Sequence, residues 1–248
     1  MLMAKIGPSA ALVSSSAALF LLALAPSGCR VGWWSYGFGL YWLMPVSGCV
    51  AAMGVILGVW TLVQSRSQLR PWSCAILFAA TVLGAVLVYV PLQYSYTRSM
   101  LPPIHDITTD TNNPPSFRTV LQARAAERAN SVDDRDPYLA QLQKTAYSDV
   151  TPLITSLPLG SAFNEALQVA KSMPGWTIVA SDPEAGRIEA SQQSRWFRFT
   201  DDIVIRIAGD GAGTRIDMRS TSRQGHSDYG INAARIRAFM GALRRRIG

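Results

Sequence analysis

The chain opens with three stretches, 6–29, 31–65 and 71–97, that hold no side chain charged at neutral pH. A helix crosses the hydrocarbon core of a bilayer with about 20 mostly apolar residues. The pattern predicts three membrane-spanning helices, at about 10–28, 45–64 and 73–95. The aromatic run WWSYGFGLYW (33–42) separates the first two. It is read as an interfacial loop, because Trp and Tyr settle at the headgroup level.

After residue 97 the pattern changes. Residues 98–116 (RSMLPPIHDITTDTNNPPS) are rich in proline and polar residues and are read as a connector, since proline lacks the amide a helix needs. Phe117–Ala129 and Pro137–Ala146 read as short helices on either side of the turn-rich NSVDDRD. Ser161 is expected to cap a helix over Ala162–Ser172, with Phe163, Ala166, Leu167 and Ala170 on one face. Strands are expected at Trp176–Ala180, Arg187–Ser191, Trp196–Thr200, Asp202–Ala208 and Thr214–Ser222, with GDGAG (209–213) as a hairpin turn. A last helix runs from about Ile231 to Ile247.

Alternation assigns the faces of these strands. Ile203, Ile205 and Ile207 point one way, as do Ile216 and Met218. Arg206, Arg215, Asp217 and Arg219 point the other way. A register that keeps the apolar sets together places Arg206 opposite Asp217, a pair that contributes about 0.2–1 kcal/mol. The expected fold is α+β: three transmembrane helices, then one antiparallel sheet of about four to five strands with helices packed on one face. The expected domains are a membrane domain over 1–97, the connector over 98–116 and a soluble domain over 117–248.

Composition sharpens the division. Hydrophobic residues make up 49% of the chain and charged ones only 16%, against about 25% charged in soluble domains. All 16 acidic residues lie at or beyond Asp106. The soluble half is therefore only mildly basic, and nucleic acid is excluded as an expected partner. Cys29, Cys49 and Cys74 all lie in the membrane half, so the soluble domain has no internal disulfide. The spans carry no acidic residue or histidine, which argues for an anchor over a pump or transporter.

The short loops indicate orientation. Lys5 precedes the first span and Arg66 and Arg70 follow the second, whereas the loop after the first span carries only Arg30. The positive-inside rule then puts the amino terminus in the cytoplasm and the soluble domain outside it. The expected location is the inner membrane of a bacterium, with the carboxy-terminal domain in the periplasm. A lipoprotein signal cleaved before Cys29 is the alternative to a retained first span. The retained helix is preferred, because Pro26 stands where such sites carry a branched aliphatic residue.

Three sets of residues are candidates for chemistry. The first is the segment RSTSRQGHSDYGIN leading into the last helix, with Arg219, Ser220, Ser222, Arg223, Asp228, Asn232 and Arg235. Guanidiniums beside a helix start can hold a phosphate or carboxylate. The same residues can instead lock a strand-to-helix junction, with Arg223 or Arg235 paired to Asp201, Asp202 or Asp228. The second set is His105, Asp106, His226 and Asp228, weak candidates for acid–base or metal chemistry. Their spacing matches no metal motif, so no metal or cofactor is expected. The third is Trp196, Arg198 and Arg206, expected together on a sheet face suited to a protein partner or lipid headgroups.

The segments PPIHDITTDTNNPPSF (102–117), RFTDDIVIRI (198–207) and RSTSRQGHSDYGINAARIRAF (219–239) resemble the bacterial and plastid family catalogued as domain of unknown function 1499. The resemblance covers about 100–248 and implies a domain assignment without an activity. Two readings of function follow. One is a non-enzymatic, membrane-anchored accessory protein whose outer domain binds a partner protein or envelope component. The other is an envelope enzyme, such as a hydrolase, or a binder of an anionic lipid or small anion through the Arg219–Arg235 loop.

Overall fold

The computed structural model describes residues 2–65, 69–133, 136–211 and 213–248. Arg66 of the basic loop, Asp134 and Arg135 of NSVDDRD and Ala212 of the GDGAG turn lie outside the described residues. By contact the chain forms two compact units, Met1–Ser99 with Arg195–Arg198, and Met100–Ser194 with Phe199–Gly248.

The first unit contains helices α1 (Leu2–Arg30), α2 (Tyr36–Phe38), a π-helical turn over Gly39–Leu43, α3 (Met44–Ser65) and α4 (Pro71–Met100). Among the described residues three stretches are long and apolar enough to cross a membrane: Ile6–Arg30, Tyr36–Gln64 and Pro71–Thr97. The aromatic run is not the loop the sequence pattern predicts. From Tyr36 onward it is helical and continues into α3. The Ser35 hydroxyl accepts the Phe38 amide at its start. Backbone near hydrocarbon must satisfy its own hydrogen bonds, which favours helix over loop.

Burial in this unit is inverted relative to a water-soluble bundle. Ala11, Ser15, Ala18, Ala25 and Ala51 are fully buried, whereas Phe20, Ile56 and Phe78 are about two-thirds exposed. Small side chains let helix backbones approach closely where lipid removes any hydrophobic drive between helices. The glycines of α3 serve this packing. Gly54 lies against Ser14 and Ser15 of α1, and a Cβ on Gly48 would stand 2.8 Å from Pro91 Cγ of α4. The Ser15 hydroxyl donates to the Ala80 carbonyl at 2.8 Å.

The second unit is a soluble domain built on a six-stranded antiparallel sheet. Its elements are β1 (Asp106–Thr108), α5 (Leu121–Ala126), α6 (Pro137–Ala146), β2 (Leu153–Thr155), α7 (Leu159–Ser172), β3 (Trp176–Asp182), β4 (Arg187–Gln193), β5 (Thr200–Asp210), β6 (Gly213–Ser222) and α8 (Ile231–Ile247). The strand order is β1-β6-β5-β4-β3, and β2 also pairs with β6. β5 and β6 form the hairpin expected from alternation, with Arg206 opposite Asp217. At the β3–β4 turn Gly186 has φ +58, and a Cβ there would lie 2.1 Å from the Ile207 carbonyl oxygen, so only glycine fits.

Four expectations are corrected. The 98–116 segment is not a bare connector: α4 runs through Met100, and Asp106–Thr108 is a sheet strand paired with β6. The Phe117–Ala129 helix shrinks to Leu121–Ala126. α7 starts at Leu159 behind Pro158, not behind Ser161. Trp196–Thr200 is not a strand, because β4 ends at Gln193, β5 begins at Thr200 and the residues between form the hairpin tip.

The sheet has two differently built faces. On one, Ile188, Ala190, Ile203, Ile205, Ile207, Ile216 and Met218 pack with Phe163, Ala166 and Ala170 of α7 and Ile236, Phe239 and Leu243 of α8. The other face is polar, and chain 109–133 covers it. Phe117, Val120 and Val204 make a small apolar cluster beneath that cover, with Val132 at its edge. Burying one such side chain stabilises by about 1.5–3 kcal/mol.

Candidate functional site

The polar sheet face is an array of paired charges. β6 presents Arg215, Asp217, Arg219 and Thr221, and β5 presents Asp202 and Arg206, as alternation in the registered hairpin requires. Arg219 makes a two-pronged pair with Asp106, Nε to Oδ1 and Nη2 to Oδ2, both at 2.9 Å. Its Nη2 also donates to the Val132 carbonyl at 2.7 Å, and the Phe117 ring centroid lies 5.3 Å from its guanidinium. Arg223 grips Asp202 on both oxygens and reaches Glu127 at 2.6 Å. Arg124 of α5 adds a third donor to Asp202 at 2.7 Å. Arg206 and Arg215 share Asp217 and Asp110.

Glu189 occupies this face with no solvent exposure. Its carboxylate accepts the backbone amides of Arg118, Thr119 and Val120, just before α5, at 2.9–3.1 Å. An anion at free amides leading into a helix is favourable, and Arg187 contributes a charge at 3.3 Å. These pairings set the protonation states. Burial alone would raise the Asp202 carboxyl, but hydrogen bonds from Arg223, Ser191 and Arg124 outweigh it and hold the group below the usual range. Burial likewise opposes Arg215 and Arg206 at Asp217, and the arginines prevail.

A second polar cluster lies on the helix-covered face, where β5, β6 and α8 meet. The Asn232 side chain is its hub. Asn232 Oδ1 accepts from the Ser220 hydroxyl at 2.7 Å and from Arg235, and its Nδ2 donates to the His105 carbonyl and the Ser222 hydroxyl. Arg235 also donates to Gln192 Oε1, Ser220 Oγ and Asp201 Oδ2. Gly230, at φ +79, is the N-cap residue of α8. The cap oxygen comes from Asp228 two positions earlier, which accepts the Gly230 amide at 3.0 Å and the Asn232 amide at 2.6 Å. Burial raises the Asp228 carboxyl, with Asp201 adding to the rise, against those amides and Arg235.

The structure thus brings Arg219 and Arg223 to one face and Ser220, Ser222, Asp228, Asn232 and Arg235 to the other. His105 and His226 come near each other. Burial lowers the His105 pKa despite Asp106 pulling it up. His226 itself is exposed. Asp106 is held by Arg219, and Asp228 by the start of α8. Among the described residues no group of three His, Cys, Asp or Glu side chains is placed to hold a metal ion. The expected face of Trp196, Arg198 and Arg206 does not form. Arg206 is in the charge array, whereas Trp196 and Arg198 lie in the hairpin tip, with Trp196 63% exposed.

Several buried polar residues escaped the sequence reading: Arg124, Gln143 and Glu189. Gln143 of α6 imitates a neighbouring strand. Its Oε1 accepts the Thr108 amide at 3.1 Å and its Nε2 donates to the Thr108 carbonyl at 2.7 Å. The one signal available was Glu189, a carboxylate between Ile188 and Ala190 in a strand, and alternation alone reads such a residue as solvated.

A profile of the family described as Protein of unknown function (DUF1499) matches residues 106–243. The match begins at the first residue of β1 and ends within α8, so it takes in the whole sheet and both packed helices. It covers more than half of the chain, and the chain belongs to that family. No curated protein matches the chain.

Proposed function

We propose that this DUF1499 family member is a membrane-anchored accessory protein. In this reading its soluble domain stands outside the cytoplasm, in the periplasm of a bacterium, and binds a partner protein or envelope component. One observation carries the reading. The side chains that are candidates for chemistry are engaged in holding the domain together: Arg219 with Asp106, Arg223 with Asp202, Arg235 with Asp201, and Asp228 with α8. An anion entering the Arg219–Arg235 loop has to displace a buried carboxylate from each arginine, and a hydrolase has to recruit Asp106 or Asp228 from an existing bond. The domain then acts through its surface. Lys5, Arg66 and Arg70 against Arg30 support the orientation.

Two measurements test the proposal. A carboxy-terminal alkaline phosphatase fusion should be active and a cytoplasmic reporter at the same position silent; the reverse places the domain inside. Native electrophoresis of the full chain, extracted gently from its own membranes, should show it migrating with a stoichiometric second protein. Migration alone, at the size of its own detergent complex, sinks the accessory role.

A further inference from the structure

We infer that the β4–β5 hairpin tip, Arg195–Arg198, is an additional membrane contact of this chain, in which Trp196 and Arg195 seat in the phospholipid headgroup layer. The tip is a closed turn. The Ser194 amide donates to the Phe199 carbonyl at 2.7 Å, and the Phe199 amide donates to the Ser194 hydroxyl at 2.8 Å. This clamp leaves Arg195-Trp196-Phe197-Arg198 beyond the last rung of the ladder. Arg195 and Trp196 are both exposed. The Arg195 guanidinium lies 5.7 Å from the centroid of the Trp196 ring, a cation–π pair with the charge held beside the indole.

The chemistry fits a lipid headgroup. Indole prefers the boundary between headgroups and hydrocarbon. Guanidinium pairs with phosphate in a two-pronged geometry, and each basic residue near an anionic leaflet is worth about 1 kcal/mol. No carboxylate occurs between Glu189 and Asp201, so the sequence around the tip is purely cationic. A protein partner can also use exposed Trp and Arg. The bilayer is favoured because it is never absent: the same chain carries helices long and apolar enough to cross a membrane. A tethered site meets lipid at a high effective concentration, so even a weak contact stays occupied. The inference is independent of the partner-binding reading, and either can fail without the other.

The test uses the full chain in nanodiscs of phosphatidylcholine and phosphatidylglycerol. Cys29, Cys49 and Cys74 are changed to Ala, and a nitroxide is attached at Trp196→Cys. Power saturation with dissolved oxygen and with a water-soluble nickel chelate reports where the label sits. Oxygen is expected to relax it more strongly than nickel, as for a lipid-exposed site, whereas a label at Glu184→Cys in the β3–β4 turn should show the reverse. Stronger relaxation by nickel at 196, or shielding from both reagents, overturns the inference. A second measurement leaves the side chains native. Lipids brominated near the carbonyl level should quench the fluorescence difference between the parent chain and Trp196→Phe. An unquenched difference overturns the inference equally.

Discussion

The Asp202 carboxylate is held on both oxygens by a single guanidinium, with Arg223 Nε 2.8 Å from Oδ2 and Nη2 2.8 Å from Oδ1. Arg124 adds 2.7 Å to Oδ2 and the Ser191 hydroxyl 2.6 Å to Oδ1, and the Asp202 side chain has no solvent exposure. A buried ion pair gains little over an apolar pair of the same shape, because desolvation offsets the attraction. Its consequence lies in specificity, since this one carboxylate ties α5, β4, β5 and the end of β6 into a single arrangement.

Breaking that site is therefore expected to be severe. Asp202→Ala leaves Arg124 buried without a counter-charge and Arg223 with Glu127 alone, at a cost of about 3–5 kcal/mol. Arg223→Lys keeps the charge but loses the two-pronged grip, and its cost should be smaller. Urea denaturation of the detergent-solubilised chain, followed by near-ultraviolet circular dichroism, checks both. A midpoint unchanged in Asp202→Ala removes the claim.

Acid should act on the two kinds of buried carboxylate with opposite sign. Asp202 and Asp217 have folded pKa values below their unfolded ones. Their stabilisation is complete above the unfolded pKa of about 3.9 and is lost as pH falls through the folded value. Asp228 is raised instead. It favours the folded state most when protonated, and that benefit is lost as pH rises from about 3.9 through its folded value. Stability of Asp228→Asn relative to the parent should thus improve between pH 4 and pH 7. Asp217→Asn should instead fall further behind the parent as pH rises from 2 through 4. Denaturant midpoints across that range measure both trends.

Gln143 supplies the outer edge of β1 with the two hydrogen bonds a further strand would make. Gln143→Leu leaves the Thr108 amide and carbonyl buried and unpaired, which costs about 1–3 kcal/mol per group. Hydrogen exchange at Thr108 should accelerate in step with that loss. Protection at the parent level in the variant shows that the edge is held some other way.

Packing of the apolar helices predicts a contrast between two glycines. Gly48→Leu must displace Pro91, whose ring cannot rotate away. It should lower the heat resistance of the helical unit in detergent. Gly160 of α7 has nothing within 4 Å of an added Cβ. Gly160→Ala should be neutral or stabilise by up to about 1 kcal/mol, the helix propensity difference. Parallel thermal melts of the two variants decide it, and equal midpoints contradict the packing.

The three apolar helices and the β5–β6 register were legible because both rest on short windows of sequence. A charge-free run of sufficient length is a count along the chain. The Arg206–Asp217 pairing followed from keeping two alternating apolar sets on one side, and the structure has it. The errors fell where a local signal met a distant partner. Residues 98–116 looked like a linker because of their prolines. Yet Asp106–Thr108 pairs with β6 residues more than a hundred positions later, and Asp106 meets Arg219 across 113 positions. The polar side of the sheet looked solvated because polar residues usually are. Its cover comes from chain 109–133, whose Phe117, Val120 and Arg124 follow helical spacing that does not say which surface they meet.

Local order in the sequence is thus enough for the presence of the apolar spans and the strand alternation, because each depends on one short stretch of chain. The assignment of Arg219 to Asp106, Arg223 to Asp202 and Arg235 to Asp201, the capping of Arg118–Val120 by Glu189 and the strand-like use of Gln143 arise only on folding. Each joins groups 21 to 113 positions apart, and burial is what makes a polar group demand a partner. No short window contains both groups of any of these pairs, so the chemistry of the arginine-rich segment became readable only when the chain had closed over it.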